Sequence, residues 1–261
     1  MISVVQLGTL DYATGLRLQK SLVEMRKDGR VGDVLLLLEH PPVITLGRNA
    51  KAANVLASAE QLKARGVDVF ECDRGGDVTF HGPGQLVGYP IFDLRGLTYQ
   101  KDGREKTLGV IEYVRRLEEV LILTSADFGI ATERVPGLTG VWTRPESAGA
   151  QAKIAALGVH ISRGVTSHGF ALNVNTDLDY FNLIVPCGIT SKPVTSMAGE
   201  CGKALSMEAV AESVSRNLGV VFDSQILWVE TLDALLNPVG VPMKPPAELR
   251  ELHGDEETFW S

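Results

Sequence analysis

Five consecutive apolar residues, V-L-L-L-L at positions 34 to 38, restrict the folds open to this chain more than any other stretch. A β-strand points alternate side chains to opposite faces, so a strand without polar positions has to be covered on both faces. The run is far too short for a membrane helix, which needs roughly 20 apolar residues. The segment therefore predicts a central strand with a packed layer on either side.

Elements of both kinds surround this strand. Capping residues and apolar spacing predict helices at 12–28 (capped by Asp11), from Ser58 to about 66, from Thr107 along the stripe 110–121, at 206–218 and at 224–236. Apolar runs predict further strands at 43–46, 67–71, 86–92, 140–143, 153–161 and 168–174. The glycine-rich segment 74–85 reads as a loop between two strands, 147–150 as a separating stretch and 162–167 as a polar turn. Because regular βαβ units are missing, we expect an α+β fold, with a mixed or antiparallel sheet flanked by helices.

Size and composition indicate one catalytic domain over residues 1–236, followed by a Pro-rich, acidic tail at 237–261 that we expect to be extended or mobile. The net charge of -7 argues against a nucleic-acid-binding protein. The N-terminus lacks the pattern of a signal or transit peptide, and we expect a cytoplasmic protein. Three cysteines without C-x-x-C spacing predict reduced thiols rather than a disulfide framework or a zinc ribbon.

One of these cysteines, Cys187, lies in the turn I-V-P-C-G-I at 184 to 189. Pro186 fixes its own φ, and Gly188 permits backbone conformations that other residues avoid. Buried structural cysteines belong to strands and helices, where they act as small apolar residues. The turn is therefore typical of a segment that directs a reactive side chain.

A reactive thiol needs a nearby cation, because an ordinary cysteine is only a few per cent thiolate at neutral pH. Lys153 is the most interesting candidate because it begins an otherwise apolar strand, K-I-A-A-L-G-V, although an exposed strand-end lysine is the simpler interpretation of that position. A cysteine and lysine pair would suit acyl transfer through a thioester. The other candidates are Lys192, Lys203, Arg163 and the histidines.

The glycine-rich segment 74–85 has neither of the spacings that bind nucleotide phosphates. Its glycine pairs allow a backbone to approach a ligand closely, but a tight hairpin would use them equally well. His81 and Arg74 likewise fit either a binding role or a structural one.

Four blocks together resemble the lipoyl(octanoyl) transferase family. They are R-G-G-D-V-T-F-H-G-P-G-Q-L-V-G-Y at 74 to 89, K-I-A-A-L-G-V at 153 to 159, H-G-F-A-L-N-V at 168 to 174 and I-V-P-C-G-I at 184 to 189. The resemblance covers about residues 5 to 220 and depends on the order and spacing of all four. It implies a fold similar to the catalytic domains of biotin and lipoate protein ligases.

The resemblance also implies an activity. It implies transfer of an octanoyl group from octanoyl-acyl carrier protein to a lysine of lipoyl domains or of glycine-cleavage H protein, without ATP, metal or another cofactor. Cys187 would be the acyl-thioester nucleophile, and Lys153 would favour its thiolate and handle the proton. The implied substrate-binding residues are Arg74, Gly75, Gly76, Asp77, Val78, Thr79, Phe80, His81, Ala156, Leu157, Gly158, Gly169, Phe170 and Ala171.

Three other functions remain open from the sequence. An ATP-dependent lipoate or biotin ligase would use Lys153 on an acyl-adenylate and leave Cys187 without a role. A noncatalytic module would bind acyl carrier protein and transfer nothing. A thioesterase would pair the cysteine with His81 or His168 and release free octanoate.

Overall fold

A computed structural model of the chain describes residues 1–144, 151–189 and 192–236. Its strands are β1 (Ile2–Thr9), β2 (Asp33–Glu39), β3 (Val43–Leu46), β4 (Asp68–Glu71), β5 (Val78–His81), β6 (Gln85–Ile91), β7 (Thr98–Lys101), β8 (Arg104–Thr107), β9 (Thr132–Val135), β10 (Leu138–Thr143), β11 (Lys153–Ser162), β12 (Val165–Asn173) and β13 (Ile226–Trp228). Its helices are α1 (Tyr12–Lys27), α2 (Ala59–Ala64), α3 (Val110–Asp127), α4 (Met197–Cys201), α5 (Met207–Val221) and α6 (Leu232–Leu236). The predicted separating stretch at 147–150 and the predicted tail at 237–261 lie outside the described residues.

Within the described ranges, eight strands form one mixed sheet in the order β13-β1-β2-β6-β12-β11-β10-β9. β1 runs parallel to both β13 and β2, whereas every later pair from β2–β6 to β10–β9 is antiparallel. Helices lie against this sheet, and the predicted α+β fold with a mixed sheet is confirmed.

Strand β2 is covered on both of its faces, as its unbroken apolar run predicts. Leu35 and Leu37 belong to the core cluster that α3 and α5 cover, while Leu36 and Leu38 belong to the cluster that α1 covers. Burying one such side chain contributes about 1.5–3 kcal/mol. The strand therefore joins the two hydrophobic layers of the molecule.

A second, three-stranded sheet in the order β4-β3-β5 lies under its own apolar cluster. The prediction of a loop throughout 74–85 is wrong, because Val78–His81 forms strand β5 and pairs antiparallel with β3. Between the glycines at 75–76 and those at 82 and 84, the segment V-T-F-H forms a strand of only four residues, and all four are buried. The predicted turn at 162–167 is also shorter than expected, since β12 already begins at Val165.

The prediction for helix α3 is wrong at its start. Thr107 ends strand β8 and does not cap α3, whose N-cap is Gly109. Val110 and Ile111, which were expected to lie in the apolar stripe, are 51% and 79% exposed, so the buried stripe begins later in the helix.

The predicted helix at 224–236 is instead a short strand, β13, followed by the short helix α6. Pairing with β1 at the sheet edge overrides the local pattern there. The caps at Asp11, Ser58 and Ser206 are confirmed by side-chain hydrogen bonds to backbone N–H groups three residues on. Within the described ranges no helix combines the length and the apolar character needed to cross a bilayer.

Candidate active site

Cys187 lies in a single helical turn, Pro186–Gly188, and the residues on either side, Val185 and Ile189, have extended backbones. Its own backbone is left-handed, with φ 55° and ψ 19°, and Gly188 follows at φ 68°. Residues with a side chain seldom adopt this conformation, which costs of order 1–3 kcal/mol and persists where surrounding contacts impose it. The backbone turns the thiol inward at the expense of local strain.

The side chains of Asp77, which precedes β5, and of Asn54 lie against this turn. The carboxylate of Asp77 accepts hydrogen bonds from Asn54 Nδ2 at 2.5 Å and from the backbone N–H groups of Lys51 and Val78. A Cβ at position 188 would lie 2.8 Å from Asp77 Oδ2, so glycine lets the carboxylate reach the turn. The backbone N–H of Val185 donates to the Asn54 carbonyl at 2.7 Å.

Lys153 is the first residue of β11 and belongs to the main sheet. Its N–H donates to the Pro193 carbonyl, and its own carbonyl accepts from the Thr195 N–H, so its backbone is fixed beside the segment 193–195. The side chain is only 6% exposed, and its Nζ lies 3.2 Å from the sulfur of Cys187. The structure thus brings together two residues that are 34 positions apart in the sequence.

Trp142 on β10 supports the lysine, and sequence reasoning missed it. Lys153 Nζ lies 4.8 Å from the centre of the buried indole, and Lys192 Nζ lies 5.6 Å from it. The negative face of an aromatic ring stabilises an ammonium, and tryptophan does so most strongly. Its position in the predicted strand 140–143 could have indicated a buried ring, but strand pairing determines which cation lies next to that ring.

The backbone of β10 is shaped around the same lysine. Gly140 has φ 132°, and a Cβ there would lie 2.9 Å from the Ala155 carbonyl oxygen and 3.1 Å from Lys153 Cε. The Gly140 N–H donates at 3.0 Å to the carboxylate of Glu118, which is fully buried on α3. Arg115 and Arg134 form ion pairs with that carboxylate. A buried carboxylate on the helix layer therefore fixes the strand next to Lys153.

A cavity runs beside Cys187, between β11–β12 and the segment 74–81. It has about 460 Å³ of empty space, a figure that includes its open part. Most of the predicted substrate residues line it: Arg74, Gly76, Asp77, Thr79, His81, Ala156, Leu157, Gly158, Gly169, Phe170 and Ala171.

Gly75, Val78 and Phe80 are not among the lining residues. Val78 and Phe80 point into the small core under the second sheet, where the Phe80 ring stacks on Tyr180. The lining residues that were not predicted are Tyr12, Tyr89 and His168. Tyr89 ends the block at 74 to 89 and His168 begins the block at 168 to 174, whereas Tyr12 lies outside the four blocks.

The glycines of the cavity mainly allow backbones to approach each other. A Cβ at Gly158 would lie 2.6 Å from the Gly75 carbonyl oxygen, and one at Gly169 would lie 2.2 Å from the Gly88 carbonyl oxygen. A Cβ at Gly88 would collide with the Phe170 ring at 2.1 Å. These positions close the cavity wall tightly, and the alanines and Leu157 supply its apolar surface.

Two polar residues of the lining are held by the protein itself. The Arg74 guanidinium donates to the carbonyl and hydroxyl of Thr45 and to the Gly75 carbonyl. His81 Nδ1 lies 2.7 Å from Gln85 Oε1, and burial lowers the pKa of His81 to about 3, so the ring is neutral at physiological pH. Both side chains fix the segment 74–85 beside the cavity.

Within the described ranges no group of three or more His, Cys, Asp or Glu side chains is arranged to hold a metal ion. Cys72, Cys187 and Cys201 are free thiols.

The family model for the lipoyl protein ligase A/B catalytic domain matches residues 11–219. The chain belongs to this family. An octanoyltransferase of Koribacter versatilis is 62% identical over 98% of this chain and 98% of its own length. Another, from Acidobacterium capsulatum, is 58% identical over 90% of this chain and 96% of its own length.

These relatives confirm the resemblance to the lipoyl(octanoyl) transferase family, and this member of the lipoyl protein ligase A/B family is an acyltransferase. The fold is similar to a solved archaeal lipoylation system, a bipartite lipoate protein ligase and its E2 lipoyl domain from Thermoplasma acidophilum. The TM-score is 0.68, with 15% identity over 91% of each chain. The predicted likeness to lipoate ligase domains is therefore confirmed for the fold.

Proposed function

We propose that this acyltransferase moves an octanoyl group from octanoyl-acyl carrier protein to the lysine of a lipoyl domain, through a thioester on Cys187. The observation that carries the proposal is the 3.2 Å distance between Lys153 Nζ and the Cys187 sulfur at the edge of an apolar cavity. The relatives are named octanoyltransferases, and the identity of the acyl group is taken from these names. The free thiols fit the cytoplasm, where cysteines stay reduced.

In the first half-reaction the Cys187 thiolate attacks the carbonyl carbon of the donor thioester. A new carbon–sulfur bond forms to Cys187, and the bond to the carrier's phosphopantetheine sulfur breaks. The Lys153 ammonium gives its proton to the departing thiolate, which leaves an acyl-enzyme and a neutral lysine. The apolar cavity receives the alkyl chain, and each buried methylene contributes about 0.8 kcal/mol.

In the second half-reaction the amine of the acceptor lysine attacks the acyl-enzyme. An amide bond forms as the bond to the Cys187 sulfur breaks, and the neutral Lys153 takes the proton that the amine loses. The thiolate and ammonium pair is then restored. The cycle is a two-step exchange in which donor and acceptor react in turn with the same sulfur.

The acyl-enzyme can be tested directly by intact-mass analysis after incubation with octanoyl-acyl carrier protein. The expected result is a mass increase of one octanoyl group that maps to Cys187, disappears with hydroxylamine and is lost when a lipoyl domain is added. Cys187→Ala should show no adduct.

Two outcomes would contradict the proposal. Acceptor acylation by the Cys187→Ala chain with free octanoate and ATP would indicate a ligase. Release of free octanoate at the full rate without an acceptor would indicate a thioesterase.

A further inference from the structure

His168 separates the acyl cavity from a groove on the outer surface of α1. The residue is 4% exposed, and it lines both the cavity and the groove, which also contains Gln19, Lys27 and Asp73. Its backbone is left-handed, with φ 54°, although it lies inside strand β12. A strained residue in a regular strand needs external support, and such residues concentrate at functional sites.

Two side chains give that support. The His168 N–H donates to Gln19 Oε1 at 2.7 Å, and its Nε2 lies 2.7 Å from Asp73 Oδ1. The hydrogen bond from His168 lowers the pKa of Asp73 to about 2, so the carboxylate stays charged at physiological pH. His160 Nε2 also lies 3.5 Å from the same carboxylate. The imidazole is thus fixed from the groove side.

His168 lies along the same strands as the proposed nucleophile's cavity. It pairs with Val159, six residues along β11 from Lys153. The lining residues Ala156 to Gly158 occupy the interval between them. An acyl chain attached to Cys187 would therefore extend toward the imidazole.

We propose that His168, held by Gln19 and Asp73, is the end wall of the acyl cavity and limits the length of the acyl chain. The inference depends on the proposed function, because it takes Cys187 as the point where the chain is attached. A longer chain has to displace a buried imidazole and break its hydrogen bonds, and apolar carbons cannot replace those bonds. Once the wall is gone, the cavity opens into the groove along α1.

The test compares His168→Gly with wild type. Glycine accepts a φ of 54° without strain, so the substitution removes the wall and suits the backbone. Asp223→Gly is the matched control, because Asp223 has φ 49° and lies outside the cavity lining. The rate of Cys187 acylation is measured with C8, C12 and C16 acyl carrier proteins by intact mass.

We expect the C12 to C8 rate ratio to rise at least tenfold in His168→Gly and to stay within twofold of wild type in Asp223→Gly. Asp73→Ala keeps the imidazole but removes its partner, so it should raise the ratio by about threefold. A folded His168→Gly chain that keeps the wild-type ratio would overturn the proposal. A ratio that falls in Asp73→Ala would overturn the holding role of Asp73.

A binding measurement separates this inference from the catalytic one. In the Cys187→Ala background, calorimetric titration with S-acyl-N-acetylcysteamine thioesters of the same three lengths reports the cavity length without transfer. His168→Gly should strengthen C12 binding relative to C8 at least fivefold, and an unchanged relative affinity would contradict the end wall. Absence of an adduct on wild-type Cys187 would instead contradict the proposed function.

Discussion

The two members of the proposed catalytic pair, Lys153 and Cys187, are held in opposite ways. Lys153 begins a ten-residue strand in the main sheet, and its backbone is hydrogen-bonded to the segment 193–195. Cys187 lies in a three-residue turn with a strained backbone, which packs against Asp77 and Asn54 and follows the hydrogen bond from the Val185 N–H to the Asn54 carbonyl. The lysine is fixed by the fold, whereas the cysteine is fixed by a few polar contacts.

This difference matters because the two residues have different tasks in the proposed cycle. The sulfur has to carry the acyl group from donor to acceptor, and a turn can adjust to both thioesters. The ammonium has to meet the same sulfur in each half-reaction, so a rigid strand suits it. Changes to the lysine side should therefore reduce activity most, and changes to the turn should reduce it less.

The largest effect is expected from Lys153→Arg. The guanidinium keeps the positive charge but does not give up its proton, and its planar shape differs from the compact ammonium that lies near Trp142 and Cys187. Loss of proton transfer typically reduces a rate by 10² to 10⁴. We expect kcat for acceptor acylation to fall about a thousandfold, measured by lipoyl-domain mass under saturating donor.

Lys192→Arg is the matched control, because it changes the other ammonium near the same indole. Its kcat should stay within about threefold of wild type. Equal activity of Lys153→Arg and wild type would remove the proton-transfer role of Lys153.

An intermediate effect is expected from Trp142→Leu. Removing the indole takes away the aromatic face at 4.8 Å from Lys153 Nζ, and a desolvated contact of this kind contributes up to about 2 kcal/mol. The corresponding fall in kcat is roughly tenfold to thirtyfold, with KM for the donor changed by less than twofold.

Trp142→Phe keeps an aromatic face and should recover most of the rate, although both variants lose packing in the core. If the two variants lose activity equally, in proportion to their loss of thermal stability, the indole only fills space.

The smallest effect is expected from Asp77→Asn, which changes the cysteine side of the pair. The substitution keeps the shape but weakens the charged hydrogen bond to Asn54, and bonds of this type contribute about 1.5–3 kcal/mol. Since Asp77 bonds neither Cys187 nor Lys153 directly, we expect kcat to fall only about fivefold to tenfold. The Tm, followed by circular dichroism, should fall by a few degrees.

A double-mutant cycle with Asn54→Ala checks that the two side chains act together. The combined loss should be smaller than the sum of the single losses. Strict additivity would mean that Asp77 acts on the turn through another contact.

The sequence predicted the parts of the site that local patterns can encode. Pro186 and Gly188 mark the directed turn, and the apolar residues after Lys153 mark a strand that begins with a cation. The strand β5 was missed because four residues between glycine pairs carry too little periodicity to be distinguished from a loop. The fold class followed from the two-sided burial of β2 and the absence of repeated βαβ units.

The support around the site could not be predicted in the same way. Trp142, Glu118 and His168 acquire partners through sheet pairing and helix packing, and Lys153, Gly140 and Asp73 lie 11, 22 and 95 positions from them in the chain. Their residue types are common in cores and on surfaces alike. A single sequence does not specify which buried ring or carboxylate will meet a catalytic amine.

At Cys187 the left-handed backbone favours glycine for stability, whereas the proposed activity requires cysteine. Glycine fits that conformation without a steric penalty, so Cys187→Gly would relieve local strain while removing the sulfur that the proposed cycle requires. This inactive variant should match the wild-type protein in abundance, thermal stability and crystallisation. Abundance screens would therefore count it as healthy, and only a measurement of bound acyl groups would reveal the loss.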